Sequence, residues 1–202
     1  TEAEQFEIGL KYEPGFVDAL ITASLFHIRQ ENVLTPGPTP GFNVQTGEIR
    51  SRGAELEIKG NLTSNLELIG AVTLLDTEVT KTNTAAALGK RPQAVPQYFA
   101  SLWANYGFTQ GFMKGVSIGG GVRLVGSSFA DDANTIKADG YAVADASLRY
   151  DFGVLDPKLE GLQFTLNATN LFDKEYYSSC SFNTFCQFGE ERQIVTGLRY
   201  RW

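Results

Sequence analysis

Apolar and polar residues alternate with a period of two along nine runs of this sequence, and no other feature constrains its fold as strongly. From Phe6 to Tyr12, every even position is apolar and every odd position is polar or glycine. With few exceptions the rule recurs over residues 54–59, 100–108, 142–152, 162–169 and 194–202. Such alternation predicts β-strands whose two faces meet different surroundings. We therefore predict an all-β chain of about nine antiparallel strands.

The connections between the runs alternate in length. Short connections lie at residues 14–16, 61–65, 109–115 and 153–161, and longer ones at 31–45, 81–94, 130–139 and 173–189. Transmembrane barrels have tight periplasmic turns and long extracellular loops. The runs are also about nine to fourteen residues long, enough to cross a hydrocarbon layer, which needs roughly 9 to 11 tilted residues. We predict a transmembrane antiparallel β-barrel, because a soluble all-β domain with one wet face would leave the alternating loops unexplained.

The composition argues against several classes of function. Twenty-three acidic residues stand against 17 basic ones, and without a basic cluster the chain has nothing to pair with nucleic-acid phosphates. No run of eighteen apolar residues occurs, so a membrane-spanning helix is excluded. One histidine and two cysteines offer no nucleophile with a partnered base, and we predict that the chain is not an enzyme.

The two faces of the runs predict which side meets lipid. Aliphatic and aromatic residues should face outward, and polar residues should face the lumen. The charged residues expected in the lumen are Arg50, Arg52, Glu55, Glu57, Lys59, Arg123, Arg149, Arg199 and Arg201. The aromatic residues near the short connections, expected to form an interfacial girdle, are Tyr12, Tyr106, Phe108, Tyr150, Phe152, Tyr200 and Trp202. Two runs, near residues 17–30 and 66–80, are apolar on both faces and stay unoriented.

Nine strands do not close a bacterial barrel, whose strand number is even. An open edge in lipid leaves backbone groups unpaired at several kcal/mol each. The first strand is therefore expected to pair with sequence outside this chain. Residues 1–202 are then expected to be the C-terminal segment of a larger barrel.

Several short motifs together resemble the TonB-dependent outer-membrane receptors, and within them the ferric-siderophore receptors of ferrichrome type. The motifs are residues 50–53 and 55, 90–92 and 95–96, 122–123 and 125–127, 170–174 and 176, 189–192, and 198–202. The resemblance implies a 22-stranded barrel of which this chain supplies about nine C-terminal strands. It also implies an N-terminal plug domain and a TonB box, both absent from this chain.

The resemblance implies energised import of a ferric siderophore, of hydroxamate type, across the bacterial outer membrane into the periplasm. The TonB complex would act through the missing N-terminal region. Iron would travel as the ferric siderophore, without a metal or cofactor bound by protein ligands. Two alternatives remain open: a passive outer-membrane porin, and a receptor of the same fold for haem, vitamin B12 or a metal chelate.

Cys180 and Cys186 lie in the last long connection, next to aromatic residues. In an oxidising surface location a disulfide is expected, with free thiols or a metal pair as alternatives. The resembled receptors carry a disulfide in this loop and an aromatic residue inside it that faces the ligand; here either Phe182 or Phe185 could take that position. Aromatic side chains suit a compact, partly apolar iron chelate, and the loop candidates are Phe42, Phe129, Tyr177, Phe182 and Phe185.

Three further expectations concern residues outside that loop. The alternating last run, with Tyr200 and Trp202, resembles the signal by which the barrel assembly machinery receives its substrates; outer-membrane lipid or lipopolysaccharide is a further expected partner. His27 is expected to face the lumen or lie at the interface, rather than bind iron. The run Gly119 to Gly121 is expected to mark a close approach of the plug or a neighbour, not a phosphate loop.

Overall fold

The computed structural model describes residues 1–182 and 185–202. In chain order its strands are β1 (Glu2–Tyr12), β2 (Asp18–Pro36), β3 (Asn43–Thr63), β4 (Leu66–Lys81), β5 (Tyr98–Gly107), β6 (Val116–Val125), β7 (Ser128–Phe129), β8 (Lys137–Ala138), β9 (Tyr141–Asp151), β10 (Leu162–Thr169), β11 (Tyr177–Ser181), β12 (Phe185–Phe188) and β13 (Gln193–Tyr200). Short 3-10 turns lie at Ala85–Ala87, Gly111–Met113, Phe152–Val154 and Pro157–Leu159. Within the described ranges, no helix is both long enough and apolar enough to cross a membrane.

Nine of the strands form one sheet in the order β1-β2-β3-β4-β5-β6-β9-β10-β13. Each strand pairs antiparallel with its neighbours. The remaining four strands form two small hairpins, β7 with β8 and β11 with β12. We call the nine-stranded sheet the wall. The predicted all-β antiparallel fold, with nine strands in the wall, is confirmed.

The connections alternate in length around this sheet, as predicted. Residues 13–17, 64–65, 108–115 and 152–161 join strands at one end. The other end carries four loops, which we call L1 (37–42), L2 (82–97), L3 (126–140, with β7 and β8) and L4 (170–192, with β11 and β12). L1 is shorter than predicted, because β2 and β3 stay paired beyond an irregularity near Asn32, whose φ is 56°.

The pairing of neighbouring strands shows on which face of the sheet each residue of the wall lies. On one face, Ile8 pairs with Leu25, Leu25 with Ala54, and Ala54 with Leu74. The two runs left unoriented by the sequence therefore place part of their apolar residues on this face, namely Ile21, Ala23 and Leu25 in β2, and Leu68, Val72 and Leu74 in β4. We call it the apolar face. The opposite, polar face carries Glu55, Glu57, Lys59, Arg123, Arg149 and Arg199.

Arg50 and Arg52 lie on the apolar face, so their predicted position in the lumen is wrong. Pairing between β3 and β4 is regular from Ile49 to Asn61, and alternate residues of a strand share a face. The two arginines therefore align with Ala54 and the apolar residues beyond it. Arg52 Nε donates to His27 Nδ1 (3.3 Å), which places His27 on this face as well.

Aromatic residues pair at the end of the sheet that has the short connections. Ring centroids are 4.9 Å apart for Tyr106 and Phe108, and 5.0 Å apart for Tyr150 and Phe152, with both pairs edge to face. Tyr200 and Trp202 form a wider pair, at 6.4 Å. This is the arrangement expected of an interfacial girdle, in which amphipathic rings lie at one level.

Trp103 explains the Gly119 to Gly121 run. A Cβ added at Gly119 would lie 2.5 Å from the Trp103 ring, and one at Gly121 would lie 2.6 Å from it. The indole therefore lies across these two glycines on the polar face, where only a residue without a side chain leaves room. The expected close approach is confirmed, and the approaching neighbour is Trp103.

The sheet has one layer, and none of the described residues packs over its apolar face. Among the described residues no large side chain is fully buried, and Ile8 on the apolar face is 72% exposed. Strands β1 and β13 each pair along one side only within the described residues. A wall with an apolar outer face and open edges is stable in lipid only when further strands close it.

Candidate ligand-binding loops

Asn170 closes the base of L4. Its side chain donates to the carbonyl oxygens of Lys174 (2.8 Å) and Glu190 (3.0 Å) and accepts from the Lys174 N–H (2.9 Å). Its own N–H donates to Asp145 in β9 (3.0 Å). Asn170 is 2% exposed and has a φ of 47°, a conformation that asparagine adopts more readily than most residues. The Asn170 side chain thus joins both ends of L4, and its backbone N–H joins them to the wall.

The tip of L4 is a hairpin closed by a disulfide. Cys180 and Cys186 face each other in the β11–β12 pair and are bonded, so the predicted disulfide is confirmed. At the open end of this hairpin the Tyr177 ring packs against Phe188, with centroids 5.0 Å apart. We call residues 177–188 the disulfide hairpin, of which residues 183 and 184 lie outside the described residues.

L3 is shaped by Asp131, a buried carboxylate. It accepts hydrogen bonds from the Thr135 and Ile136 N–H groups (2.7 to 3.0 Å) and from the Thr135 hydroxyl (2.8 Å). The Ile136 N–H contributes most to a pKa of Asp131 that lies below its usual range. Its oxygens are therefore occupied in holding the turn of L3.

L2 is fastened to L3 along a short segment. Asn134 accepts from the Arg91 N–H and donates to the Arg91 carbonyl oxygen, both at 2.9 Å. The Ala94 N–H donates to the Phe129 carbonyl oxygen (2.9 Å). Between these contacts, Gln93 donates to Asp132 (2.6 Å). The two loops therefore behave as one hydrogen-bonded unit.

A cavity of about 350 Å³ lies between L3 and L4. Tyr141 and Tyr176 stack on one side of it, with centroids 4.2 Å apart, and the disulfide forms part of its lining. Lysines and carboxylates of both loops, Lys137, Asp139, Lys174 and Glu175, also line it. A cavity of this size with aromatic walls and a few polar groups is typical of a small-molecule site.

The five predicted ligand residues lie in three places. Tyr177, Phe182 and Phe185 lie on the disulfide hairpin, and Phe182 and Phe185 are 78% and 61% exposed. Phe129 lies in β7, beneath the Ala94 contact. Phe42 lies in L1. L2 contacts the end of β2 next to L1, where the Asn83 side chain donates to the Pro36 carbonyl oxygen (2.9 Å).

Three residues of this region were missed by sequence reasoning. Tyr141 and Tyr176 line the cavity, and their signal was available, because each is an aromatic residue at the junction of a loop and a strand. Gln93 links L3 to L4, and nothing in the sequence distinguishes it, since glutamine is common in exposed loops.

A second cluster lies on the outer side of the sheet, beyond the apolar stretch. We call Arg29, Glu31, Glu48, Arg50, Arg52, Glu78 and Lys81 the charged belt. Glu48 contacts Arg29 (2.8 Å) and Lys81 (2.7 Å). It lies 14 residues along β3 from Leu62, which is about 35 Å above the short turn in a strand tilted by about 40°. The apolar band of such barrels is about 25 Å tall, so Glu48 stands outside it.

The cations of the belt hold Glu48 ionised. The Arg29 guanidinium, then Lys81 and the Thr80 hydroxyl, lower the pKa of Glu48 to about 2. The same contacts pair the buried Glu48 side chain with cations, as a buried carboxylate requires. Between the belt and the short connections, this face of the sheet is apolar. The belt therefore marks the level at which the wall leaves the apolar layer.

Comparison with known proteins identifies the class. A model described as "TonB dependent receptor-like, beta-barrel" matches residues 1–171. The ferrichrome outer membrane transporter/phage receptor of Escherichia coli K12 is 38% identical over 204 residues, covering 100% of this chain and 27% of that protein. The ferrioxamine receptor of Yersinia enterocolitica is 32% identical, covering 98% and 27%. The crystal structure of the siderophore receptor PiuA from Acinetobacter baumannii superposes with a TM-score of 0.83 at 25% identity, covering 98% and 28%.

This chain belongs to the TonB-dependent receptor β-barrel family. Barrels of this family are outer-membrane proteins, so the apolar face meets lipid and the polar face lines the lumen. The named relatives are a transporter and receptors, in agreement with the prediction that the chain is not an enzyme. The chain spans about a quarter of the length of these relatives.

Proposed function

We propose that this chain forms part of the wall and ligand-side loops of a longer receptor that imports a ferric siderophore of hydroxamate type into the periplasm. The observation that carries the proposal is the disulfide hairpin, whose Tyr177, Cys180 and Cys186 line a cavity shared with L3. The same hairpin carries Phe182 and Phe185 as exposed aromatic side chains. Ferrichrome and ferrioxamine appear in the names of the relatives at 38% and 32% identity.

The chemistry of such a ligand matches these loops. A hydroxamate siderophore surrounds iron with its own oxygens, so the receptor needs to supply shape, apolar contact and a few hydrogen bonds rather than metal ligands. Aromatic rings give large contact area at low entropic cost. We propose Phe182, Phe185, Tyr177 and Phe129 as ligand residues on L3 and L4, with Phe42 contributing from L1.

Transport would require, beyond the wall and its loops, a means of closing the lumen and of supplying energy. We propose that a plug domain closes the lumen and that the TonB complex acts on it from the periplasm. The polar face would then contact the plug through the lumen residues of β3, β6 and β9. The alternatives are a passive porin and a receptor of the same fold for haem, vitamin B12 or a metal chelate.

Two further partners are proposed for the outer side of the wall. The charged belt combines arginine and lysine side chains at the level of lipid headgroups, which suits the phosphates of lipopolysaccharide. Tyr200 and Trp202 at the end of β13 are proposed as a recognition signal for the barrel assembly machinery. Deletion of Trp202 from the full receptor should lower the heat-modifiable band in outer-membrane fractions, and an unchanged band would contradict this role.

Equilibrium binding tests the ligand class. Full receptor in detergent is titrated with ferrichrome, ferrioxamine B, a ferric catecholate, haem and vitamin B12. We expect one hydroxamate to bind, and Phe182→Ala or Phe185→Ala to weaken it about 3- to 10-fold, the worth of one aromatic contact. Phe112→Ala, in the short connection at the opposite end, is the control and should bind like wild type. Binding of the catecholate, haem or vitamin B12 instead would overturn the hydroxamate proposal.

A further inference from the structure

Gln93 joins three loops through one amide. Its Nε2 donates to Asp132 in L3 (2.6 Å), and its Oε1 accepts from the Phe182 N–H at the tip of the disulfide hairpin (2.7 Å). We propose that Gln93 is a positioning residue that holds the disulfide hairpin, and with it Phe182, in the ligand-binding arrangement. This inference rests on the proposed function.

The Phe182 N–H donates its hydrogen bond to a residue outside the hairpin, Gln93. The last register pair of β11 and β12 before the tip is Ser181 with Phe185, and Phe182 follows it with a φ of 49°. In that conformation the chain turns out of the ladder, and its N–H points to Gln93 instead. The amide of Gln93 therefore fixes the residue whose ring is proposed to contact the ligand.

Gln93 can hold the hairpin in place because hydrogen bonds of the neighbouring residues fix the backbone on both sides of it. Arg91 makes two hydrogen bonds with Asn134, and the Ala94 N–H donates to Phe129. Ala94 has a φ of 59°, a left-handed conformation that costs a residue with a side chain about 1 kcal/mol or more. The segment is thus held in an unusual conformation that directs the Gln93 side chain towards both Asp132 and Phe182.

A glutamine suits this position because its amide carries an acceptor and a donor. Glutamate would keep an acceptor for the Phe182 N–H, but it would lose the donor and place a second carboxylate beside Asp132. Alanine would lose both contacts. The hairpin would then be held at its base by Asn170 and at its side by L3, while its tip would be free to move.

Loss of the tip contact should weaken ligand binding without unfolding the barrel. A hairpin that samples several positions must be ordered by the ligand, and that ordering reduces affinity. One hydrogen bond of ordinary strength corresponds to about a 2- to 12-fold change in dissociation constant. A purely structural role would instead lower the amount of folded receptor in the membrane.

A double-mutant cycle with hydrogen exchange tests the inference. Wild-type receptor, Gln93→Ala, Phe182→Ala and the double variant are titrated with ferrichrome and ferrioxamine B, with Gln110→Ala in the short connection as control. We expect Gln93→Ala to bind about 3- to 10-fold more weakly, and its effect to shrink when Phe182 is already alanine. Without ligand, exchange at residues 177–182 should rise in Gln93→Ala, rise less in Gln93→Glu, which keeps the acceptor for the Phe182 N–H, and remain unchanged in β9 and β10.

The outcomes separate this inference from the proposed function. Wild-type affinity in Gln93→Ala, effects that simply add, or unchanged exchange at the hairpin would each overturn the positioning role. Failure of wild-type receptor to bind either hydroxamate would overturn the proposed ligand class and with it the role of Gln93 in binding that ligand.

Discussion

Asn170 links both ends of L4 through its buried side chain and joins them to the wall through its backbone N–H. Four hydrogen bonds converge on it, from or to Lys174, Glu190 and Asp145. Asp131 does similar work inside L3, where it satisfies three donors. At this scale, buried polar side chains rather than apolar packing determine the shape of the ligand-side loops, because the loops have little apolar core of their own.

Asn170→Ala should loosen L4. The change leaves the Lys174 and Glu190 carbonyl oxygens without this donor and puts alanine at a φ of 47°, for a local cost of about 2 to 4 kcal/mol. Hydrogen exchange across residues 171–182 and 185–192 should accelerate, while exchange in β5 and β6 should not change. Asn167→Ala in β10 is the matched control; equal exchange in the two variants would contradict the role of Asn170.

The charged belt should depend on pH in a defined window. Glu48 has its pKa lowered to about 2 from an ordinary value near 4.5, so its stabilising contribution is complete above about pH 4.5 and is lost as the pH falls towards 2. Arg29→Ala should raise the pKa of Glu48, and Lys81→Ala should raise it less. Carboxyl ¹³C NMR titration measures this directly. Lys59→Ala, on the polar face, is the control, and a Glu48 pKa insensitive to Arg29 would contradict the assignment.

At the scale of the strand, the sequence predicted what period-two alternation controls. Strand number, the antiparallel order and the outer face of β1, β9 and β10 follow from the side-chain pattern, because one face meets lipid. The pattern misled at Arg50 and Arg52, where polarity was read as lumen although both residues have the parity of Ala54. Strands β2 and β3 continue above the apolar layer, and there polarity no longer distinguishes the two faces.

The site was less predictable than the wall. The disulfide hairpin and its aromatic residues are contiguous in sequence, so the sequence indicated them. Gln93, Asp132 and Phe182 meet only because L2, L3 and L4 fold over one end of the sheet. Contacts between loops separated by about 40 to 90 residues leave no local pattern.

The same substitution should destabilise the receptor at Gly119 and have little effect at Gly120. A Cβ at Gly119 would meet the Trp103 ring and the Ser147 Oγ, each at 2.5 Å, whereas at Gly120 its nearest contact would be the Asp145 carbonyl oxygen at 3.9 Å. Gly119→Val should destabilise the receptor by about 1 to 3 kcal/mol through overpacking, and Gly120→Val should be close to neutral. The temperature at which the folded band disappears on a gel measures this, and equal shifts for both variants would contradict the position of Trp103.

At the scale of the whole molecule, the wall and the loops have separate requirements. The single-layer sheet has an apolar face at one level and a charged belt above it, so a membrane fixes its height. Its loops are joined by hydrogen bonds into one unit around a cavity. Such a division lets the ligand-side loops differ among receptors that share the same wall.

We propose that the receptor containing this chain imports a ferric hydroxamate with energy from the TonB complex. The most direct measurement is uptake of radiolabelled iron, offered as ferrichrome, ferrioxamine B or a ferric catecholate, by cells in which this is the only siderophore receptor, with and without a proton uncoupler. We expect saturable uptake of one hydroxamate that stops when the uncoupler is added. Uptake that does not distinguish among the chelates and continues with the uncoupler would show an open pore and overturn the proposed energised import.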